Sequence, residues 1–327
     1  MLNYAIRRTF VMLPLLLLIS VVVFILMELP PGDAVSAMVE GLEMDGQPVS
    51  EQRVAALRAR YHLDDPLHVR YLRWITGFLR GDLGHSITLQ QPVNELVWER
   101  LGYTVLISLL CVLFTLIVAF PISIYSAIWQ YSLSDHAFTV LAFLGMAIPN
   151  FVLALALMYV GHRYFGSSIG GLYSVEFEEA PMSFAKMLDL LKHIWIPVVV
   201  IGTAGMAGLV RTMRANLLDE LPKPYVVAAR ARGCGPMKLV LKYPVRIAIN
   251  PFISTVGWLL PTLFSGDAIV GVVLNLPTIG PLLLAGVQNQ DMQLAGSIIM
   301  ILSILTVIGT LISDLLLAVV DPRIRYE

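Results

Sequence analysis

Two aspartates lie inside long apolar runs of the sequence, where an ionised side chain is energetically costly. Asp267 lies in the next-to-last apolar run, and Asp314 lies in the last one. A carboxylate in such a position can relay protons or line a water-filled path. Each also has a structural interpretation. For Asp314 we favour the structural interpretation, in which it pairs with Arg211 or Arg214. Asp267 can cap a broken helix.

A second pattern with chemical potential is Gly-Ser-Ser-Ile-Gly at residues 166–170, which matches the nucleophile turn of serine hydrolases. That motif requires a strand before the serine and a helix after it, whereas an apolar run precedes it here. We therefore favour a flexible loop. The sequence contains no Gly-Lys-Ser or Gly-Lys-Thr phosphate loop and no His-Glu-x-x-His zinc motif. We predict a chain that is not an enzyme and that binds no metal or cofactor itself.

The composition indicates which solvent surrounds these residues. The chain has 327 residues, of which 57% are hydrophobic and 14% charged. Soluble domains are typically about 45–50% apolar and about 25% charged. A chain this apolar cannot cover itself with polar surface, so lipid is the expected solvent. The net charge of -1 gives no basic stripe for a nucleic-acid partner.

Apolar runs long enough to cross a bilayer, which takes about 20 residues, predict an all-α polytopic membrane protein. Six such runs occur, at residues 9–27, 103–128, 137–160, 194–210, 251–273 and 294–320. The first is longer than the roughly 7–15 apolar residues of a cleaved signal peptide, so we expect a retained anchor. Pro14, Pro121, Pro149 and Pro197 lie inside or at the edges of these runs, and neighbouring helices can satisfy the backbone groups that they free.

Lysines and arginines predict the orientation, because short cytoplasmic loops are enriched in them. The densest short basic loop covers residues 211–246, so we place it in the cytoplasm together with both termini. The predicted organisation has four parts: a tail with the first span at 1–29, an extracytoplasmic helical segment at 30–98, a five-helix core at 99–320 that includes a cytoplasmic loop at 216–247, and a tail at 321–327.

The predicted extracytoplasmic segment carries helix-start signals. Ser50 is expected to cap a helix that runs to about Tyr61, and Asp65 to cap a second helix with Pro66 in its first turn. The segment is therefore expected to fold rather than to act as a linker.

Residues 275–290 combine apolar residues with helix breakers, including Asn275, Pro277 and Gly280. Irregular backbone at membrane depth is tolerated only where protein buries it or where it lines a cavity. The pattern predicts a re-entrant gate segment beside the solute pathway, and a surface loop is the alternative.

The basic loop contains a predicted helix–turn–helix. Its first helix carries small residues at Ala228 and Ala229, Gly233 ends that helix, and Pro236 starts the second. A surface of small residues with basic flanks suits docking into a groove of a partner protein. The alternative is an ordinary amphipathic loop at the membrane surface.

This stretch resembles the Glu-Ala-Ala–x3–Gly coupling loop of ATP-binding-cassette importer permeases. Ala228 and Ala229 match the paired alanines and Gly233 the glycine, while Val227 replaces the glutamate. The variant Tyr-x-x-x-Ala-Arg-Ala-x-Gly, which begins here at Tyr225, is similar to the dipeptide, oligopeptide and nickel permease branch. The predicted coupling loop comprises Tyr225, Ala228, Ala229, Arg232, Gly233 and Pro236.

Further stretches, in family order, resemble the same branch. They are Leu-Asp-Asp-Pro at 63–66, Arg-Tyr-Leu at 70–72, Arg-Gly-Asp-Leu-Gly at 80–84, Ile-Pro-Asn-Phe at 148–151 and Asp-Pro-Arg-Ile-Arg-Tyr at 321–326. The resemblance implies a type I importer permease of a bacterial inner membrane. It implies as partners a second homologous permease, two ATPase subunits that hold ATP and magnesium, and an extracytoplasmic solute-binding protein.

The solute is expected to be a dipeptide, an oligopeptide or a similar small molecule, with an oligosaccharide or nickel as alternatives within the family. The sequence Asn-Leu-Pro-Thr-Ile-Gly-Pro at 275–281 departs from the Trp-Pro-Gly-x-Gly of peptide permeases. A rival hypothesis from another class is a proton-coupled secondary transporter that uses Asp314 or Asp267. Dependence on ATP separates the two.

Overall fold

The computed structural model describes residues 2–29, 50–166, 170–250 and 268–320, together with residues 32, 35, 36, 38, 39 and 43. In that part of the chain the secondary structure is helical, without β-strands. The main helices are α1 (Leu2–Glu28), α2 (Glu51–Arg60), α3 (Leu67–Leu79), α4 (Val93–Ile128), α5 (Leu133–Ala147), α6 (Asn150–Phe165), α7 (Phe184–Glu220), α8 (Pro224–Ala231), α9 (Pro236–Lys242), α10 (Ala268–Val273), α11 (Ile279–Gln288) and α12 (Met292–Val320).

Four of the described helices, α1, α4, α7 and α12, are long and apolar enough to cross a membrane, and the pair α5–α6 adds a fifth crossing if it counts as one bent span. The all-α multi-span class is therefore confirmed. Most of the predicted span at 251–273 lies outside the described residues, which resume with α10.

The prolines in the apolar runs behave in two ways. Three of them lie inside unbroken helices: Pro14, Pro121 and Pro197. Pro149 instead separates α5 from α6, which are bent by 107°. The residue before a proline is pushed out of helical geometry, and Ile148 is extended at φ -82° and ψ 123°. The predicted span at 137–160 is therefore a pair of helices bent at Pro149.

The chain divides into two compact units. Unit 1 contains Met1–Arg7, Val105–Leu276 and Ile308–Glu327, and unit 2 contains Arg8–Thr104 and Pro277–Val307. The helices α1, α4 and α12 each contribute residues to both units.

Unit 2 is organised around aromatic side chains of α3. Trp74 is buried in a cluster with Phe24 and Met27 of α1 and Met300 of α12. The rings of Phe24 and Tyr71 meet edge to face with centroids 5.4 Å apart, a favoured aromatic geometry. These contacts hold the amphipathic α3 against the membrane helices.

The two predicted helix starts in unit 2 had different outcomes. The Ser50 hydroxyl accepts a hydrogen bond from the Arg53 amide, and α2 follows, as predicted. Asp65 does not cap α3, because Pro66 occupies the cap position without a side-chain bond. The Asp65 carboxylate instead lies 2.7 Å from Nη1 of Arg73 and 3.5 Å from Nδ1 of His62.

Asp291 ties the turn before α12 to residues 86–88. The carboxylate is completely buried, accepts hydrogen bonds from the Ser86 hydroxyl at 2.6 Å and the Thr88 amide at 3.1 Å, and also accepts from the Leu294 amide at 3.2 Å. It therefore caps α12 while it fixes a loop that lies about 200 residues earlier in the chain.

In unit 1, α4 and α7 share an apolar core. Buried apolar residues of both helices, including Ala119, Leu209 and Met213, form one core. At Gly202 the backbones approach so closely that the Thr115 hydroxyl donates to the Gly202 carbonyl at 2.9 Å. Small residues allow such approach between membrane helices.

Valine substitutions should separate packing from helix propensity on α7. A Cβ atom at Gly202 would lie 2.6 Å from the Phe114 ring, whereas one at Gly208 would meet nothing within 4 Å. We expect Gly202→Val to destabilise the protein by about 1–3 kcal/mol through overpacking. Gly208→Val shares the change in helix propensity and should have a clearly smaller effect. Thermal unfolding in detergent measures both, and equal losses would contradict this packing account.

Candidate functional site

The predicted helix–turn–helix is present and consists of α8, a turn and α9; we call residues 224–242 the elbow. Proline occupies the first position of each helix, at Pro224 and Pro236. Proline is tolerated there because the first amide of a helix has no partner within the helix. The elbow follows α7 directly, so the long helix positions it.

Gly233 ends α8 in the way that the sequence predicts. Its φ is +78°, in the left-handed region that glycine adopts without strain. The Gly233 amide bonds the Arg230 carbonyl at 3.0 Å, and the Cys234 amide bonds the Ala229 carbonyl at 3.4 Å. This is the pattern of a Schellman cap. A Cβ atom at Gly233 would meet nothing within 4 Å, so backbone conformation alone requires glycine here.

The elbow has its own small core. Val226, Ala229 and Leu239 are buried together, and Cys234 and Tyr243 pack against them. Ala229 therefore does not belong to the predicted surface of small residues, because its methyl group fills the space between α8 and α9. This internal packing joins α8 to α9.

The other face of the elbow is exposed and combines apolar, small and basic side chains. Ala228 lies on it, as predicted, together with Val227 and Met237. Three cations, Arg230, Arg232 and Lys238, flank these residues. An exposed apolar patch with a charged rim is typical of a protein interaction site.

Glu220, the last residue of α7, anchors the elbow. Its buried carboxylate accepts a hydrogen bond from the Tyr225 hydroxyl at 2.6 Å and pairs with Lys223. Burial and the neighbouring Glu220 carboxylate raise the pKa of Tyr225 above its usual value of 10.0. The phenol therefore remains protonated throughout the physiological range, and this bond weakens only as the pH rises through the raised pKa.

Glu220 was missed by the sequence prediction. The available signal was its spacing, since it is the last acidic residue before a Leu-Pro-Lys-Pro-Tyr turn at residues 221–225. The prolines break the helix at that point and return the tyrosine toward the end of α7. Tyr225 was predicted as part of the loop, and the structure shows its contact.

Arg214 of α7 binds the start of α5, which overturns part of the prediction for Asp314. Its guanidinium donates to the Asp135 carboxylate at 3.0 Å and to the Ser126 carbonyl at 3.2 Å. Among the described residues, neither Arg214 nor Arg211 pairs with Asp314, which is half-buried in α12. Asp135 is almost fully buried and also accepts from the Tyr131 amide at 2.9 Å, so the nearer carboxylate captures Arg214.

The predicted pathway residues are spread over both units. Asp267 lies outside the described residues. Asn275 has a φ of +50° just after α10 in unit 1, whereas Pro277 and Gly280 belong to unit 2.

Residues 279–288 form the helix α11 instead of a surface loop, and Gly280 lies on its buried face. The first amide of α11, at Ile279, donates to the Thr104 hydroxyl at 2.9 Å. The surface-loop alternative for this stretch is therefore wrong. The predicted gating role stays a prediction.

The serine-hydrolase pattern has no supporting geometry. Gly166 caps the helix α6 at φ +63°, so a helix and not a strand precedes the pattern. Residues 167–169 lie outside the described part of the chain. Among the described residues, no group of three or more metal-ligating side chains is present either.

Comparison with known proteins identifies the family. Residues 119–326 match the family described as binding-protein-dependent transport system inner membrane component, and residues 1–110 match the N-terminal region of such components. The chain belongs to this family. It is a multi-pass permease subunit of the inner membrane.

Individual relatives of this permease extend over its full length. It is 34% identical over 325 residues to the oligopeptide transport system permease protein AppB of Bacillus subtilis, covering 99% of both chains. It is 30% identical over 327 residues to the glutathione transport system permease protein GsiC of Salmonella paratyphi A, covering 100% of both chains.

A solved structure shares the permease fold. A chain of the inward-facing MetNI methionine ABC transporter superposes with a TM-score of 0.52 at 17% sequence identity. The match covers 69% of this chain and 96% of the other.

The Tyr225 contact generates a prediction for the elbow. Tyr225→Phe removes the bond to Glu220, and a bond to a charged acceptor contributes roughly 1.5–3 kcal/mol. We expect the elbow to open more often, so that trypsin cleaves at the exposed Arg230 and Arg232 about tenfold faster. Tyr243→Phe is the control, because Tyr243 packs on the same core without a hydroxyl bond among the described residues. Equal rates for the two variants would contradict the anchoring role.

Proposed function

We propose that this permease imports short peptides in an ATP-driven complex, and that the elbow couples ATP hydrolysis to the membrane helices. The observation that carries the proposal is the elbow itself: an internally packed helix–turn–helix, bonded to α7 at Glu220 and exposing a mixed apolar and basic face. Full-length similarity to an oligopeptide permease and a glutathione permease supports a peptide substrate.

The proposed complex contains two permeases, two ATPase subunits that bind ATP and magnesium, and an extracytoplasmic binding protein that delivers the peptide. This chain performs no bond chemistry in that scheme. Closure of the ATPases pushes the elbow, and the push shifts the helix bundle between inward-open and outward-open states. Such alternating access needs two arrangements that ligands stabilise differently.

The internal packing of the elbow is what makes it suitable for coupling. Force applied to α8 passes through the Val226–Ala229–Leu239 core to α9, and through Glu220 to α7. The Arg214–Asp135 pair then joins α7 to the start of α5. A flexible loop in the same place would absorb the push without moving the helices.

The proposed topology retains the predicted orientation. The loop at 216–247 and both termini face the cytoplasm, and residues 30–98 face the opposite side. The basic side chains at 211–246 support this placement by the positive-inside rule. The proposed gate comprises Asn275, Pro277 and Gly280, with Asp267 as a further pathway residue.

The rival function is proton-coupled transport. A proton-coupled transporter would use Asp314, a half-buried carboxylate in α12. Family membership favours the ATP-driven scheme, and the two schemes differ in one measurement. Uptake into proteoliposomes should require ATP and should persist when a protonophore collapses the proton gradient.

The left-handed turn gives a sharp test of coupling. Gly233→Ala places a side chain at φ +78°, which costs about 1–2 kcal/mol, whereas Gly235→Ala changes a residue at φ -59°. A Cβ atom meets nothing within 4 Å at either site. We expect Gly233→Ala to lower ATP-driven peptide uptake severalfold and Gly235→Ala to leave it near wild type, with both complexes assembled. Wild-type uptake by Gly233→Ala would reject the coupling turn.

The composition of the complex can be tested directly. A tagged copy of this chain, purified from its native membrane in mild detergent, should bring down two ATPase chains and a second permease, identified by mass. Purification of the chain alone, or as a homodimer without an ATPase, would defeat the coupling role and would favour proton coupling through Asp314 and Asp267.

A further inference from the structure

Unit 2 contains a cavity of about 310 Å³ that has no part in the proposed coupling. It lies among the end of α1, the turn after α2, one side of α3 and residues 290–293. Its volume reaches the lower end of the range for small-molecule sites, about 300–1,000 Å³. The residues around it therefore need to be considered as a binding site.

The cavity has walls of two kinds. Aromatic and thioether side chains, including Phe24, Tyr61 and Met27, supply an apolar surface. Polar and charged groups supply the rest, among them the guanidinium groups of Arg58, Arg70 and Arg73, each of which is paired with a carboxylate. A ligand that fits both walls has one apolar part and one part that accepts hydrogen bonds.

The charged groups differ in how fully they are satisfied. Arg70 and Glu28 form a two-pronged pair with both nitrogen–oxygen distances at 2.7 Å, so they neutralise each other in the wall. Arg73 donates one hydrogen bond, from Nη1, to the Asp65 carboxylate at 2.7 Å. A guanidinium has five N–H donors, so Arg73 retains donors for a ligand.

Trp74 supplies a second donor and the strongest indication of a ligand. It lines the cavity and is only 8% exposed, and its indole Nε1 has no acceptor among the described residues. A buried donor without an acceptor is destabilising, and native proteins leave very few of them. An oxygen-bearing ligand in the cavity would satisfy this group.

We propose that this cavity binds the carboxylate end of a short peptide, with Trp74 and Arg73 as hydrogen-bond donors and the last side chain of the peptide against the aromatic wall. The inference rests on the proposed function as a peptide importer. A carboxylate offers one acceptor oxygen to the Trp74 indole and another to the remaining donors of Arg73, and its planar shape fits the guanidinium fork. A peptide held here would occupy the permease before it enters the membrane pathway.

The test uses the complete complex in nanodiscs of neutral phosphatidylcholine, with radiolabelled Ala-Ala-Leu in equilibrium dialysis. The C-terminal amide of the same peptide lacks the charge and should bind about tenfold more weakly. Trp74→Phe keeps the apolar volume but removes the N–H group, and should weaken binding of the acid about fivefold or more. Trp98→Phe is the matched control, because Trp98 is 66% exposed and does not line the cavity.

Three outcomes would overturn the proposal. They are equal binding of acid and amide, equal losses in Trp74→Phe and Trp98→Phe, and displacement of the peptide when phosphatidylglycerol replaces the neutral lipid. The last result would assign the cavity to a lipid headgroup. If Trp74→Phe fails to assemble, Arg73→Gln with Arg80→Gln as its control provides the same comparison, since Arg80 is exposed and lies outside the lining.

Transport by the wild-type complex, measured in parallel, separates this inference from the proposed function. Absence of ATP-driven uptake of Ala-Ala-Leu and of other short peptides rejects the substrate class. Uptake that persists although the cavity shows no binding dependent on Trp74 rejects the cavity site alone.

Discussion

Backbone N–H and C=O groups at membrane depth must find partners inside the protein, because lipid offers none. This constraint explains why the described spans are helices and why three prolines remain inside unbroken ones. It also explains why polar side chains lie at the starts of helices. The Thr104 hydroxyl accepts a hydrogen bond from the first amide of α11, and the Asp291 carboxylate accepts one from an amide of α12. The Thr104 contact also joins segments that are distant in sequence, and so does Asp291 through its bonds to Ser86 and Thr88.

Buried charge follows the same logic at the ends of the helices. Asp135 and Arg214 bind each other and nearby backbone groups, and Glu220 binds Lys223 and Tyr225. Removing one partner from such a group leaves an uncompensated charge, which is far more destabilising than the pair itself is stabilising. In unit 1 these pairs therefore fix the connections between helices, while apolar packing fixes the helices themselves.

The elbow combines these features in a part that has to transmit force. Its helix starts are formed by prolines, its turn by a left-handed glycine, and its interior by a few apolar side chains. Because none of these depends on the exposed face, Val227, Ala228 and Met237 are free to match a partner surface. The absence of the family glutamate at position 227 is compatible with this arrangement, since Glu220 anchors the elbow from α7.

The sequence by itself determined the solvent, the helical class and the shape of the elbow, because these depend on composition, apolar run length and the local preferences of proline and glycine. Ser50 and Gly233 were predictable for that reason: each acts within a few residues of itself. Only the tertiary structure decided which charges pair. Arg214 pairs with Asp135 rather than with Asp314, and Tyr225 bonds to Glu220. A buried charged group binds the partner that folding brings within hydrogen-bond distance. Separation along the chain does not specify that distance.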